Sequence, residues 1–280
     1  MTTGFCSAAA EDVSGPSLSG AVNGLSGHRR TALDSADGAE AIARCPRVAA
    51  LLPLLATALD TQDPAKPGQL FDLAGLDATE LALIADVTGE GEVAATVALP
   101  DGGIAQIAES VMAGLWRVRF VDRDGRLVAD CLEVSAIPEA VRQGAATARP
   151  ELAIGTPPEG AMNALPVLAE IRERMAAWAP GLPQHTITFS LLPMTEADTA
   201  FIRETLGEGA VRIVSRGYGS CRVFSTGARH VWSVQYFNTS DAVVLDTLEI
   251  GDVPAAACAA AEDLRESAER LRQIEEAYFK

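Results

Sequence analysis

Arg216-Gly-Tyr-Gly-Ser-Cys-Arg222 is where residue types and spacing in this chain come nearest to chemistry. Two glycines around a tyrosine permit positive φ and close backbone approach, and they expose the ring. Arg203, Arg212, Arg229 and His230 make the surrounding stretch locally basic. Two chemistries fit it. The first is binding: Arg216, Gly217, Tyr218, Gly219, Cys221 and Arg222, with Trp232, Gln235 and Tyr236 of the adjacent strand, would touch a partner chain. Tyrosine is an amphipathic anchor of the kind enriched at interface hot spots, and the arginines would grip acidic or carbonyl groups. The second is redox or cluster-handling chemistry at Cys221, because positive charge beside a thiol favours the thiolate. Against it, no resolving cysteine lies nearby in sequence.

The rest of the chain offers no catalytic, cofactor or metal constellation. It has no Gly-x-Ser-x-Gly elbow, no phosphate-binding loop and no GxGxxG after a strand. His28, His185 and His230 are the only histidines, and none stands three to five residues from another His or Cys. Cys6, Cys45, Cys131, Cys221 and Cys258 are odd in number and widely spaced, as a reducing cytoplasm would allow. The recurring pairs Asp130/Glu133 and Asp246/Glu249 are three apart, which puts the two carboxylates on opposite faces of a strand. They cannot converge on a substrate, and Asp130 and Asp246 are expected in buried polar networks instead.

The elements that position these residues repeat. A shift of 116 places Leu115–Pro138 on Val231–Pro254 without a gap, with seven identities in 24 positions, including Trp116/Trp232, Asp130/Asp246 and Glu133/Glu249. About one or two would be expected by chance. Upstream, after a two-residue shift, Gly89-Glu-Gly91 falls on Gly207-Glu-Gly209. The sequence therefore predicts two tandem copies of one α/β unit with mainly antiparallel strands. Residues 45–147 form the first copy, 148–163 a linker, and 164–280 the second copy with a C-terminal helix; residues 1–44 are expected to lack fixed structure.

Each copy should open with a helix. Leu168, Ile171, Met175 and Trp178 form one apolar stripe, and the counterpart at 48–59 should be kinked or shortened by Pro53. A strand follows (69–73, then 186–191, where Ile187, Phe189 and Leu191 alternate), and next a short helix. Both short helices begin with a capping box, Asp77 with Glu80 and Thr195 with Asp198, and end at Gly89 and Gly207. Three strands complete the unit, with Asp122-Arg-Asp-Gly125 a hairpin turn between the last two. Whether the two sheets merge is open.

Composition narrows the function. With 22 basic and 38 acidic residues the chain carries 22 − 38 = −16, a field that repels nucleic acid and anionic lipid. The longest apolar stretch is too short to span a bilayer, and the N-terminus does not read as a signal peptide.

Several motifs, in order, resemble the HupH/HyaF/HoxQ-type hydrogenase-expression proteins: Leu192-Pro-Met-Thr-Glu-Ala-Asp198, Val214 to Arg222, Val231 to Asn238, Leu245 to Ile250 and Ala261 to Arg270. Gly89 to Val93 and Glu109 to Arg119 carry the resemblance in the first copy. It implies an accessory protein, not an enzyme, that matures an uptake nickel–iron hydrogenase. Its partners would be the cytoplasmic iron–sulfur small-subunit precursor, made with a twin-arginine leader, and other hydrogenase accessory proteins. No cofactor or ligand set is implied. The family's Tyr-Met-Pro-Met-Pro-type segment near the N-terminus has no counterpart in residues 1–44.

Overall fold

The computed structural model describes residues 43–216 and 220–279. The expectation for residues 1–44 thus falls almost wholly outside the described residues.

The chain forms one mixed α+β domain around a ten-stranded antiparallel sheet. In chain order the elements are α1 (Pro46–Thr61), β1 (Gln69–Asp72), α2 (Ala78–Thr88), β2 (Val93–Ala98), β3 (Ile104–Glu109), β4 (Leu115–Val121), β5 (Leu127–Val134) and α3 (Glu139–Ala146). Then follow α4 (Ala164–Ala177), β6 (His185–Thr188), α5 (Glu196–Leu206), β7 (Glu208–Ser215), β8 (Ser220–Thr226), β9 (Val231–Phe237), β10 (Val243–Ile250) and α6 (Ala261–Tyr278). The strand order is β1-β5-β4-β3-β2-β7-β8-β9-β10-β6, the same in each half when read from the outer edges inward. The halves join where β2 pairs with β7, with Ala95 opposite Ile213. Register agrees as well: Gln69 faces Val134 as His185 faces Ile250, and Trp116 faces Glu133 as Trp232 faces Glu249.

Local chemistry explains the elements. Both capping boxes form, and Gly89 and Gly207 close their helices at φ 61° and 67°. The acid of each box also reaches back to the preceding helix. Arg47 of α1 bonds both oxygens of Glu80, and Asp198 Oδ1 accepts the amides of Asn163 (2.7 Å) and Ala164 (2.8 Å) at the start of α4. The hairpin at Asp122 recurs at Asn238: each side-chain oxygen accepts two amides of its own turn. Asp241 adopts φ 56° where the first turn has Gly125 at 79°.

Three sequence expectations fail. Pro53 does not shorten α1, which runs for 16 residues. The strand expected at 186–191 stops at Thr188 and turns into a single 3₁₀ turn over Phe189–Leu191, leaving Leu191 82% exposed. Four strands, not three, follow each short helix, because the first of them is two paired strands, β2 with β3 and β7 with β8.

Packing divides into three clusters. One face of the middle strands, with Trp116, Val118, Trp232 and Val234, is covered by α3. There Gly144 approaches so closely that a Cβ would sit 2.3 Å from Val97 Cγ1. The other face holds two separate clusters: Leu115, Leu132 and Val134 under α1, α2 and α6, and Val231, Leu248 and Ile250 under α4 and α5.

The segments that leave each half cross to the other. After α3, Arg149 bonds backbone to backbone with Gly227 and Arg229 (2.9 and 2.8 Å), and Leu152 enters the cluster of α4 and α5. After β10, Ala259 donates to Ala136 O (2.9 Å), and Leu264, Ala268 and Leu271 of α6 complete the cluster of α1.

Candidate partner-binding surface

The parity of β8 and β9 divides the residues singled out in the sequence between the two faces of the sheet. Cys221, Trp232 and Tyr236 point into the cluster beneath α3, and Arg222 and Gln235 point to the opposite face. Cys221 is 5% exposed, Trp232 2% and Gln235 3%. These three cannot offer a surface, which corrects the expectation of one continuous patch. Tyr236 is half-buried beside Cys221, its register partner. Gly217, Tyr218 and Gly219 lie outside the described residues.

The thiolate expectation for Cys221 fails too. Burial, with the Glu249 carboxylate adding to it, pushes the thiol up to about 11. Arg222 gives no relief, because its side chain leaves by the other face. Its guanidinium carbon stands 4.2 Å over the Phe237 ring and its Nη2 lies 3.3 Å from Asp241 Oδ1. Burial likewise raises Cys131 and Cys258 to about 11. A reactive cysteine needs the opposite environment.

The paired acids behave as strand parity required. Asp130 takes Arg117 in a bidentate pair (3.0 and 2.7 Å), and Asp246 Oδ2 lies 3.4 Å from Gln235 Nε2. Glu133, on the opposite face, accepts the Glu139 amide at the start of α3 (2.9 Å). These acids hold structure together. Among the described residues no group of three or more His, Cys, Asp and Glu could hold a metal ion, and no helix is long and apolar enough to cross a membrane.

What stays accessible is a strip of bare sheet. On the face opposite α3, between the two outer helical clusters, the middle strands carry Thr96, Gln106, Arg119, Arg212 and Arg222, exposed or partly so. Arg216, exposed at the end of β7, is held through its amide to Glu92 O (3.0 Å). Arg212 is paired with Glu208 (3.1 Å) and Arg222 with Asp241 (3.3 Å), while Arg119 and Arg216 are exposed. A guanidinium suits the carboxylates and carbonyls of another polypeptide.

Sequence reasoning missed a second exposed region. Leu191 and Leu192 (82% and 37% exposed) follow β6, across a cleft from Pro166, Val167 and Glu170 of α4. The strand-like alternation of Ile187, Phe189 and Leu191 concealed it. Pro193, two residues beyond Leu191, was the one available sign that the strand ends early.

Comparison with known proteins adds the following. The family described as "HupH hydrogenase expression protein, C-terminal conserved region" matches twice, over residues 47–149 and 161–278. The hydrogenase expression/formation protein HupH of Rhizobium leguminosarum bv. viciae is 52% identical over 248 residues, covering 89% of this chain and 88% of that protein. The hydrogenase expression/formation protein HoxQ of Cupriavidus necator is 42% identical over 238 residues, 84% of this chain and 83% of its own length. HoxQ of Azotobacter vinelandii is 42% identical over 237 residues, with 83% and 82% covered.

Proposed function

This chain belongs to the HupH hydrogenase expression protein family, and on that premise we propose that it is a non-catalytic chaperone for the iron–sulfur small-subunit precursor of an uptake nickel–iron hydrogenase, acting in the cytoplasm. The observation that carries the reading is the 52% identity to a hydrogenase expression/formation protein across 89% of the chain. The surface supports binding over catalysis. Cys221 is buried with its thiol pushed up to about 11, Asp130 and Glu133 are spent on structural bonds, and Arg216 and Arg222 are accessible to another chain.

The proposed contact is the bare sheet face with Arg222, and Arg216 at its rim; Tyr236 lies across the sheet and contributes only from its edge. The test is capture of the chain by a tagged small-subunit precursor from hydrogenase-expressing cells at low salt. Arg216→Glu with Arg222→Glu should cut capture about tenfold or more. Failure of the unaltered chain to be captured counts against the partner, and normal capture by the double variant counts against the surface.

We further infer that the two halves are copies of one unit, over residues 45–147 and 164–280, with 148–163 between them. The double match of one family, the common strand order and the equal register support it.

A further inference from the structure

The edges of a sheet are where backbone hydrogen-bonding capacity remains unspent, and β1 and β6 are the two edges here. β6 pairs with β10 on one side. On its other side no backbone group of residues 185–188 has a protein partner among the described residues. Beside that free edge runs a cleft of about 500 Å³, walled by Pro166, Val167 and Glu170 of α4 and by residues 191–194. Its rim carries Leu191 and Leu192, 82% and 37% exposed. Clustered exposed apolar side chains of this size mark an interaction site.

We propose that this groove takes an extended, apolar segment of a partner protein, flanked by basic residues, which adds to β6 as a further strand. The free edge selects an extended backbone, because only that conformation matches its row of donors and acceptors. The apolar walls select the side chains. Charge selects the flank: Glu170, whose Oε1 lies 2.7 Å from His185 Nε2, is the single charged side chain lining the groove. Its other oxygen is left for a basic flank, and the chain carries −16. A second copy of this chain fits poorly, since it would bring Glu170 and a whole charge of −16 against their own likeness. Residues 1–42 fit poorly as well, with two arginines against five acids. The proposal rests on the reading of the chain as a polypeptide-binding accessory protein, but not on which hydrogenase subunit it binds.

The test uses the full chain and an array of synthetic peptides that alternate valine or phenylalanine with threonine, flanked by arginine or by glutamate. Arginine-flanked peptides should be retained and should slow amide exchange across residues 186–188, with no effect at β1. Leu191→Asp, at an exposed position that folding does not need, should weaken retention about tenfold or more. Glu170→Lys should shift preference toward the glutamate flank. Leu70→Asp, 64% exposed on β1, should change nothing. Equal retention by Leu191→Asp overturns the proposal, as does exchange slowed only outside β6. Competition by a synthetic peptide of residues 1–42, or a concentration-dependent dimer abolished by Leu191→Asp, would assign the groove to the chain itself and overturn it too. Precursor capture separates the two readings. A Leu191→Asp chain that captures the precursor normally removes the groove alone, and groove-dependent peptide binding without precursor capture removes the hydrogenase partner alone.

Discussion

Gly114 in the first half and His230 in the second occupy the same turn, at φ 79° and 66°, just before strands of matching register. The backbone is the same, but what packs on it differs. At Gly114 the missing Cβ admits α6, and a Cβ built there would lie 2.2 Å from Leu264 Cδ2. At His230 the side chain itself fills the space, its ring centroid 3.9 Å from that of Trp178. Arg149 and Leu152 then cover what remains. The same turn is therefore packed by α6 in one half and by Trp178, at the C-terminal end of α4, in the other.

The sharpest way to break that comparison is to exchange the residues' roles. Gly114→Ala combines a left-handed backbone with a clash against Leu264, and should cost about 2–5 kcal/mol in denaturant unfolding. His230→Gly relieves the same backbone and loses the Trp178 ring contact and a hydrogen bond to the Gly251 backbone, so it should cost less than Gly114→Ala. If the two cost the same, packing of α6 does not depend on the glycine.

The next largest effect separates the two capping acids. Asp198→Ala strips the caps of both α4 and α5 and leaves buried amides unbonded, which should cost roughly 2–4 kcal/mol. Burial alone would raise the Asp198 carboxyl, but the amides of Thr195, Asn163 and Ala164 and the Thr195 hydroxyl hold it below the usual range. Its contribution is therefore present above the unfolded pKa and fades as pH falls through the folded one. An acid titration of stability that is unchanged in the Asp198→Ala variant would refute this role.

Glu109 and Ser225 are also counterparts, 116 apart. Glu109 Oε1 accepts the Gly114 amide at 3.1 Å, and Ser225 Oγ accepts the Val211 amide at 2.9 Å. Burial raises the Glu109 carboxyl to about 7, with Asp263 and Glu92 adding to it and the Gly114 amide opposing. A raised carboxyl stabilises most below its unfolded pKa, and that stability is lost as pH rises through about 7. Glu109→Gln keeps the acceptor and should stabilise the protein by roughly 1–3 kcal/mol at pH ~8 but not near pH ~4. Melting temperatures at the two pH values check it.

The smallest effect concerns the hairpin turns. Nothing lies within 4 Å of a Cβ added at Gly125. Gly125→Ala should therefore cost only the backbone term, about 1 kcal/mol, and convert that turn into the strained form Asp241 already adopts. A larger loss would point to a contact the geometry does not contain.

Much of this was legible in the residues. The 116-residue period located the strand register, because side-chain alternation leaves no freedom to slip by one. The capping boxes and their glycines were readable because they are local chemistry. What escaped depends on the third dimension. The face assignment of Cys221 against Arg222 follows from strand parity, but their burial depends on α3, a helix of eight residues from the other half. The groove at β6 escaped because an alternating apolar pattern cannot announce that its last members turn outward.

The crossing of the two tails also sets the order in which this chain can finish folding as it is made. Leu264 and Leu271 belong to the core built on α1, so that core stays unsealed until the last helix has left the ribosome. The second half, by contrast, finds Leu152 already synthesised when its own strands emerge. The half made first is thus completed last, and a chain released before α6 would expose the apolar flank of α1, Leu52, Leu55 and Leu59 included, to whatever quality control the cell applies.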